Sequence, residues 1–319
     1  MDIFFYETFE DEAEILKSLL GNGISYDFTP DATHESGHAG PPARLISIRT
    51  QSIIPENWSG KLDGILSRST GFDHLIAYAA NLEKPLPLGY LEEYATRAVA
   101  EQAIMLAMCL LRKLPQQMRQ FPTFHREDLT GAECEGKNLL VVGVGRIGSE
   151  IVKVAKGLGF VVRGVDIVKD KSDVAYMSKE EGIRWADVVI CAMNLTGENR
   201  SYFNQDLFSK MKRGCLFINI ARGEMSPLSD LDHALREGHI GGLGLDVFEN
   251  EGELGVAMRN PGTTSNPQIA LVKRILSYPN VLLTPHNAFN SIEALRRKCE
   301  LTVQQIRYFF KHRDFLWKV

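Results

Sequence analysis

Three polar residues stand where short apolar runs end: Arg222 after "FINIA", Glu251 in "LDVFENE" and His286 after "VLLTP". Apolar runs of this length, bounded by Pro, Gly or Asn, read as buried strands, and strand ends are where α/β enzymes keep their chemistry. The three residue types suit one reaction. A carboxylate-bearing substrate needs a fixed cation with bidentate geometry, which Arg222 can offer. A ketone that receives a hydride must also gain a proton, and a histidine beside a carboxylate is a suitable donor because the carboxylate favours the imidazolium. His286 would be that acid and Glu251 its partner, with Asp246 close by at the end of "LGLD". Taken singly, each has a plainer reading. Arg222 in "ARGE" could be a surface ion pair, Glu251 in "FENEGE" a solvated face, and His286 a half-buried ring with one hydrogen bond.

The elements that would position these residues are legible. From Lys137 to Asp246 the runs "NLLVVG", "FVVRGVD", "DVVICAM", "CLFINIA" and "LGLDVF" alternate with helical patterns, the signature of βαβ units on a parallel sheet. In "SPLSDLDHALREG" Ser226 can cap a helix, Pro227 suits its first turn, and Gly238 ends it. The first of these strands opens into Gly143, Gly145 and Gly148 in G-x-G-x-x-G order, followed by a helical pattern. In that setting the glycines permit a tight turn, a close backbone approach to a pyrophosphate, and close packing of helix on strand. The next strand ends in Asp166, whose carboxylate can hold the hydroxyls of an adenosine ribose and would repel a 2′-phosphate. NAD is therefore favoured, with Arg163 and Lys169 nearby keeping NADP open.

The first hundred residues form a separate α/β pattern. "MDIFFYE", "ARLISIRT" and "DGILSRS" are strand candidates, "EDEAEILKSLL" a helix, and "PDATHESGHAGPP" a surface loop. Two helical segments, 96–114 and 291–312, read as connectors. The first is apolar nearly all round and therefore buried, with a subunit interface as one way to bury it. At 319 residues, two domains are expected. A net charge of -4 gives no drive toward nucleic acid or anionic membrane, so small-molecule partners are expected. The five cysteines lack CxxC spacing, and the seven other histidines, His34 and His38 included, lack ligand spacing, so neither a disulfide framework nor a metal site is expected. No secretory leader or membrane span is visible, and a cytoplasmic location is expected.

In this order and spacing, "GVGRIG", "INIARGE", "GLGLDVFENE" and "TPHNAFNS" resemble the D-isomer-specific 2-hydroxyacid dehydrogenases, the family of D-lactate and phosphoglycerate dehydrogenases. "SRSTGFDHL" and "AVAEQAIMLAMCLLR" extend the resemblance over essentially the whole chain. It implies a Rossmann-type doubly wound parallel sheet domain, residues 103–287, inserted in a flavodoxin-like α/β substrate domain, residues 1–102 and 288–319. It implies that Arg222 orients the substrate, that Glu251 pairs with His286, and that His286 donates the proton. Backbone N–H groups near Thr70 and Gly71 would hold the substrate carboxylate, and Tyr94 would approach the substrate. Phe289 could line a pocket for a small apolar side chain, or be an ordinary core phenylalanine. For NAD the resemblance implicates Arg146 and Ile147 at the pyrophosphate, and Met193, Asn194 and Asn199 in a loop over the dinucleotide. Ile220, Ala221, Arg222 and Asp246 fall near the nicotinamide.

Two residues depart from the family's usual pattern: Asn194 replaces a proline and Gln102 a histidine. The segment 252–280 is longer than in phosphoglycerate-type members and closer to the D-lactate branch. The expected function is stereospecific hydride transfer between NADH and a small 2-keto acid, pyruvate first, in a homodimer, with substrate held between two domains that close on a hinge. A glyoxylate, hydroxypyruvate or bulkier 2-keto acid reductase, and an NAD(H)-sensing corepressor-like protein, are the alternatives.

Overall fold

The computed structural model describes residues 1–259 and 266–319, so part of the segment 252–280 lies outside the described residues. The chain divides into two compact units, Met1–Ala95 with Asn290–Val319, and Thr96–Phe289. The second unit is thus an insertion within the first. A boundary between 102 and 103 would cut the 16-residue helix Thr96–Leu111, a continuous hydrogen-bonded rod. The division falls before that helix, and at the other end after Phe289 rather than after residue 287.

In the first unit, strands β1 (Ile3–Phe5), β2 (Tyr26–Phe28), β3 (Leu45–Ile48), β4 (Gly64–Ser67) and β5 (Leu88–Gly89) form a sheet in the order β2-β1-β3-β4-β5. Its pairings are all parallel, and the order is the flavodoxin-like one. β2 and β5 were not among the expected strands: they are edge strands of three and two residues, too short to carry a periodic signal. The helix Glu10–Leu20 buries Ala13, Leu16 and Leu20 and packs beside the long helix Ile292–His312. Ser291 caps that second helix by accepting the N–H of Ala294.

Between these helices and the sheet lies a buried ionic cluster. Glu12 receives Arg68 Nε at 2.8 Å on one carboxylate oxygen and Lys298 Nζ at 2.8 Å on the other, and all three side chains are essentially inaccessible. The Arg68 guanidinium also donates to Ser47 Oγ, the Tyr6 and Glu7 carbonyls and Thr8 Oγ1. Burial alone would push the Glu12 carboxyl up, but Arg68, Lys298 and Arg49 together hold it down at about 2. One anion therefore serves several cations, and for Lys298 burial outweighs the attraction of Glu12 and pulls the ammonium down to about 8. Arg68 is the first residue after β4, so this cluster fixes the start of the turn that follows that strand.

In the second unit, β6 (Asn138–Val142), β7 (Val161–Val165), β8 (Val188–Cys191), β9 (Cys215–Asn219), β10 (Ile240–Leu245) and β11 (Val281–Leu283) form a parallel sheet ordered β11-β10-β9-β8-β6-β7. The chain winds outward from β6 in both directions, so the switch point lies between β6 and β8. A parallel bridge between Gly164 and Tyr176 extends the β7 edge. β6, β8 and β9 are buried almost throughout, which explains why they read as unbroken apolar runs. Phe203, Phe208 and Phe217 pack together at the centre of one core face.

The helix expected after Ser226 runs Leu228–Arg236, and Gly238, at φ 72°, closes it as expected. Ser226 does not cap it. Its hydroxyl accepts from Asn219 Nδ2, and Leu228 N–H takes the Glu249 carboxylate instead. Pro227 occupies the cap position and Ser226 stands one residue outside it, where its hydroxyl serves the Asn219 amide. No helix among the described residues is long and apolar enough to cross a membrane.

Replacing Glu12 by Gln leaves buried cations without their counter-charge, and is expected to cost about 3 kcal/mol or more in urea unfolding at neutral pH. The folded-state pKa of Glu12 lies below its ordinary value, so its contribution is complete above about 4.5 and is lost as pH falls toward about 2. The gap between wild type and E12Q should close over that window. Equal stability of the two proteins at pH 7 would contradict the assignment.

Candidate active site

The glycine-rich turn joins β6 to the helix Arg146–Gly157. Gly143 sits at φ 91°, and a Cβ there would meet Met193 N at 2.6 Å, so the turn after β6 lies directly against the loop after β8. A Cβ on Gly148 would come within 1.9 Å of Gly143 O, which is why helix and strand can approach only with glycine there. Gly145 faces open space, with exposed Arg146 and half-buried Ile147 beside it at the helix N-terminus. Backbone N–H groups and an uncrowded glycine at a helix start form a cradle that fits a pyrophosphate. Asp166 does two jobs: its carboxylate accepts the N–H of Val144, inside the turn, and that of Val168 at 2.9 Å. The strand-end carboxylate is thereby locked beside the glycines, with lone pairs to spare for ribose hydroxyls.

The loop after β8 carries Met193, Asn194 and Asn199. Asn199 Oδ1 accepts the N–H of Thr196 and its Nδ2 donates to the Asn194 carbonyl, each at 2.7 Å. This amide staple holds the loop where the family's usual proline is missing. Ile220 and Ala221, both buried, follow β9.

The next turn presents Arg222. Asn219, fully buried at the end of β9, accepts from Ala221 N and donates to the Arg222 carbonyl at 2.9 Å and to Ser226 Oγ at 2.8 Å. A Cβ on Gly223 would overlap the Phe248 and Glu249 backbone, so the Arg222 turn is pressed against the segment leading to Glu251. Asn219 was not singled out from sequence. Its one local signal is an amide standing inside an apolar strand.

Asp246 is completely buried at the end of β10. Its carboxylate accepts Thr284 Oγ1, Asn287 N at 2.8 Å and Ala288 N at 2.9 Å. Burial raises its pKa above the ordinary carboxylate value even against these donors. The turn thus gripped contains His286 at φ 50°, with its N–H on the Thr284 carbonyl at 3.0 Å. A left-handed histidine costs about 1 kcal/mol and persists where the surroundings over-determine it. His286 Nδ1 lies 2.7 Å from Glu251 Oε1, each side chain 22% exposed, with Glu251 at the start of the helix Glu251–Arg259. Nε2 is therefore the nitrogen left for a ligand. Phe289 stands edge-on to the imidazole, ring centroids 6.3 Å apart.

The ends of β9, β10 and β11 thus bring together the Arg222 turn, Asp246, Glu251, His286 and Phe289, all in the second unit. The remaining expected residues belong to the first. Thr70 is exposed and Gly71 half-buried in the turn after β4, and Tyr94 is buried with its carbonyl accepting Arg297 Nε at 2.8 Å.

A family model described as "D-isomer specific 2-hydroxyacid dehydrogenase, NAD binding domain" matches residues 104–288. The D-lactate dehydrogenase of Streptococcus pyogenes is 31% identical, with 94% of each chain covered. An aromatic 2-oxoacid reductase of Clostridium sporogenes is 30% identical, covering 77% of this chain and 75% of that protein. Among solved structures, the D-lactate dehydrogenase of Aquifex aeolicus, complexed with NAD and lactic acid, superimposes with a TM-score of 0.86 at 26% identity over 99% of each chain. With the glycine cradle, the locked Asp166 and the histidine–glutamate pair in place, the chain belongs to the D-isomer specific 2-hydroxyacid dehydrogenase family, as an NAD-dependent oxidoreductase acting on 2-hydroxy acids.

Proposed function

We propose that this enzyme interconverts a small 2-keto acid and its D-2-hydroxy acid, with pyruvate and D-lactate as the first pair. The observation that carries the reading is the 2.7 Å contact of His286 Nδ1 with Glu251, which leaves Nε2 open on a turn gripped by Asp246. Bound NADH supplies the hydride. His286 gives the Nε2 proton to the carbonyl oxygen as it gains charge, and Glu251 holds the ring in orientation through its contact with Nδ1. In the oxidative direction the neutral ring takes the hydroxyl proton back. In the second unit Arg222 is the proposed anchor for the carboxylate and carbonyl oxygens, and in the first unit the N–H groups of Thr70 and Gly71 are the proposed carboxylate donors. Gly143, Gly145, Arg146, Ile147 and Gly148 would hold the pyrophosphate, Asp166 the ribose, Met193, Asn194 and Asn199 the covering loop, and Ile220, Ala221 and Asp246 the nicotinamide end. Tyr94 and Phe289 line the substrate, and a phenylalanine ring close to His286 favours a small side chain such as the methyl of pyruvate. The D-lactate relatives support this choice, whereas the aromatic 2-oxoacid relative makes a larger pocket the alternative.

We also propose a homodimer in the cytoplasm, a compartment in which the five free thiols stay reduced. Met105, Met108, Leu114, Met118, Phe121 and Phe124 are all exposed along one stretch of the second unit, Phe124 at 74%. So large an apolar cluster suits burial against a second copy of the chain.

NADH oxidation followed at 340 nm across a 2-keto acid series, repeated with NADPH, tests the substrate. Pyruvate with NADH should give the highest kcat/KM, and best activity with an aromatic or branched acid would overturn that choice. H286A should lower turnover by about 10² to 10⁴, with NADH affinity little changed. Near-normal turnover of H286A would remove His286 from the mechanism. Sedimentation should give twice the chain mass for wild type and a single chain mass for the double variant M118E/F121E. A monomeric wild type would contradict the dimer.

A further inference from the structure

We propose that His74 is a positioning residue for the substrate-carboxylate turn, through a hydrogen-bond relay of fixed direction that runs His74, Ser67, Ser69, Gly71. The proposal rests on the reading above in which the N–H groups of Thr70 and Gly71 receive that carboxylate.

The direction follows from counting protons. Ser69 Oγ donates to the Gly71 carbonyl at 2.7 Å, and a hydroxyl has one hydrogen, so Ser69 cannot also donate to Ser67. The two serine oxygens are nevertheless 2.6 Å apart, a distance that requires a hydrogen between them. Ser67 must therefore donate to Ser69. With its only hydrogen used there, Ser67 Oγ accepts at its third contact, His74 Nε2 at 2.9 Å. His74 thus carries a proton on Nε2, either as the neutral Nε2–H tautomer or as the imidazolium. The opposite neutral tautomer would leave two oxygens at 2.6 Å with nothing between them. Ser67 is fully buried at the end of β4, and Ser69 is nearly so, which raises the cost of any broken link.

The relay acts on the turn through peptide planarity. The Ser69 carbonyl accepts from Leu91 N at 3.0 Å, and because a trans peptide sets N–H opposite C=O, this aims the Thr70 N–H away from Leu91. The relay fixes the Gly71 carbonyl on the other side. The peptide joining Thr70 to Gly71 lies between two pinned neighbours, and among the described residues neither its Gly71 N–H nor the Thr70 N–H donates to a protein acceptor. Two aimed and unused donors in an accessible turn are what a carboxylate requires. His74 sits one layer behind them, on the helix Asp73–Ala79.

The test compares H74L, which removes the donor, with H74Q, whose amide nitrogen reaches a similar place. H74L should raise KM for the 2-keto acid by about tenfold or more while kcat and the Kd of NADH stay within about threefold, and H74Q should restore most of the KM. Amide hydrogen exchange at buried Leu91, whose N–H is held by the Ser69 carbonyl, read without substrate, should be faster in H74L and near wild type in H74Q. Unchanged KM and unchanged exchange in a folded H74L would overturn the proposal. If H74L does not fold, the ring nitrogens of wild-type His74 decide it by nitrogen NMR: a proton on Nε2 supports the relay, and a bare Nε2 overturns it. If wild type reduces no 2-keto acid at all, the catalytic reading fails, and exchange and tautomer still decide the relay.

Discussion

The buried carboxylate of Asp246 is the constraint on which the reaction centre depends. It is an anion at the end of an interior strand, where burial disfavours its charge, and it is retained because three donors from the turn after β11 converge on it. That convergence ties the ends of β10 and β11 together and holds His286 in a left-handed backbone that a histidine would not adopt unaided. In that conformation Nδ1 meets Glu251 and Nε2 is left open.

The same device recurs along the carboxyl edge of the sheet. Asn219 grips the Arg222 turn, Asn199 the loop after β8, and Asp166 the glycine turn, each with one side chain satisfying two or more backbone groups. The parallel strands supply rigid ends because both faces are buried, and the polar side chains convert that rigidity into fixed loop geometry. Glycine appears where backbone must approach backbone, at Gly143, Gly148 and Gly223, and at Gly145 where the space is open for a phosphate. In the first unit Arg68 and the serine relay play the corresponding part for the turn after β4.

Much of this was legible in sequence because it is local. The glycine spacing follows an apolar strand, the helical patterns repeat every three to four residues, and Arg222, Glu251 and His286 each end or follow a recognisable run. The pairing of Glu12 with Arg68 and Lys298 was not legible, since a helix pattern shows which face is buried but not that a buried glutamate meets partners 56 and 286 positions away. Ser226 reads as a helix cap because it precedes Pro227 and the helical pattern, but the helix begins at Leu228 with Pro227 at the cap position, and the serine hydroxyl serves Asn219 instead. His74 and Ser67 carry no motif at all, because their significance lies in the order of protons along a chain of contacts. The first division between units was displaced because apolar character all round a helix announces burial without saying against which unit.

The most direct test of this account is a stopped-flow single turnover of bound NADH with a 2-keto acid, comparing wild type with Asp246→Asn. The substitution keeps the shape but turns one acceptor into a donor facing backbone N–H groups, so the His286 turn should lose its grip. In enzyme saturated with NADH the chemical step should be slower by about 10²-fold than in wild type. A single-turnover rate equal to wild type would contradict it, because the proton donor would then be held in place without the interaction on which its geometry is here made to depend.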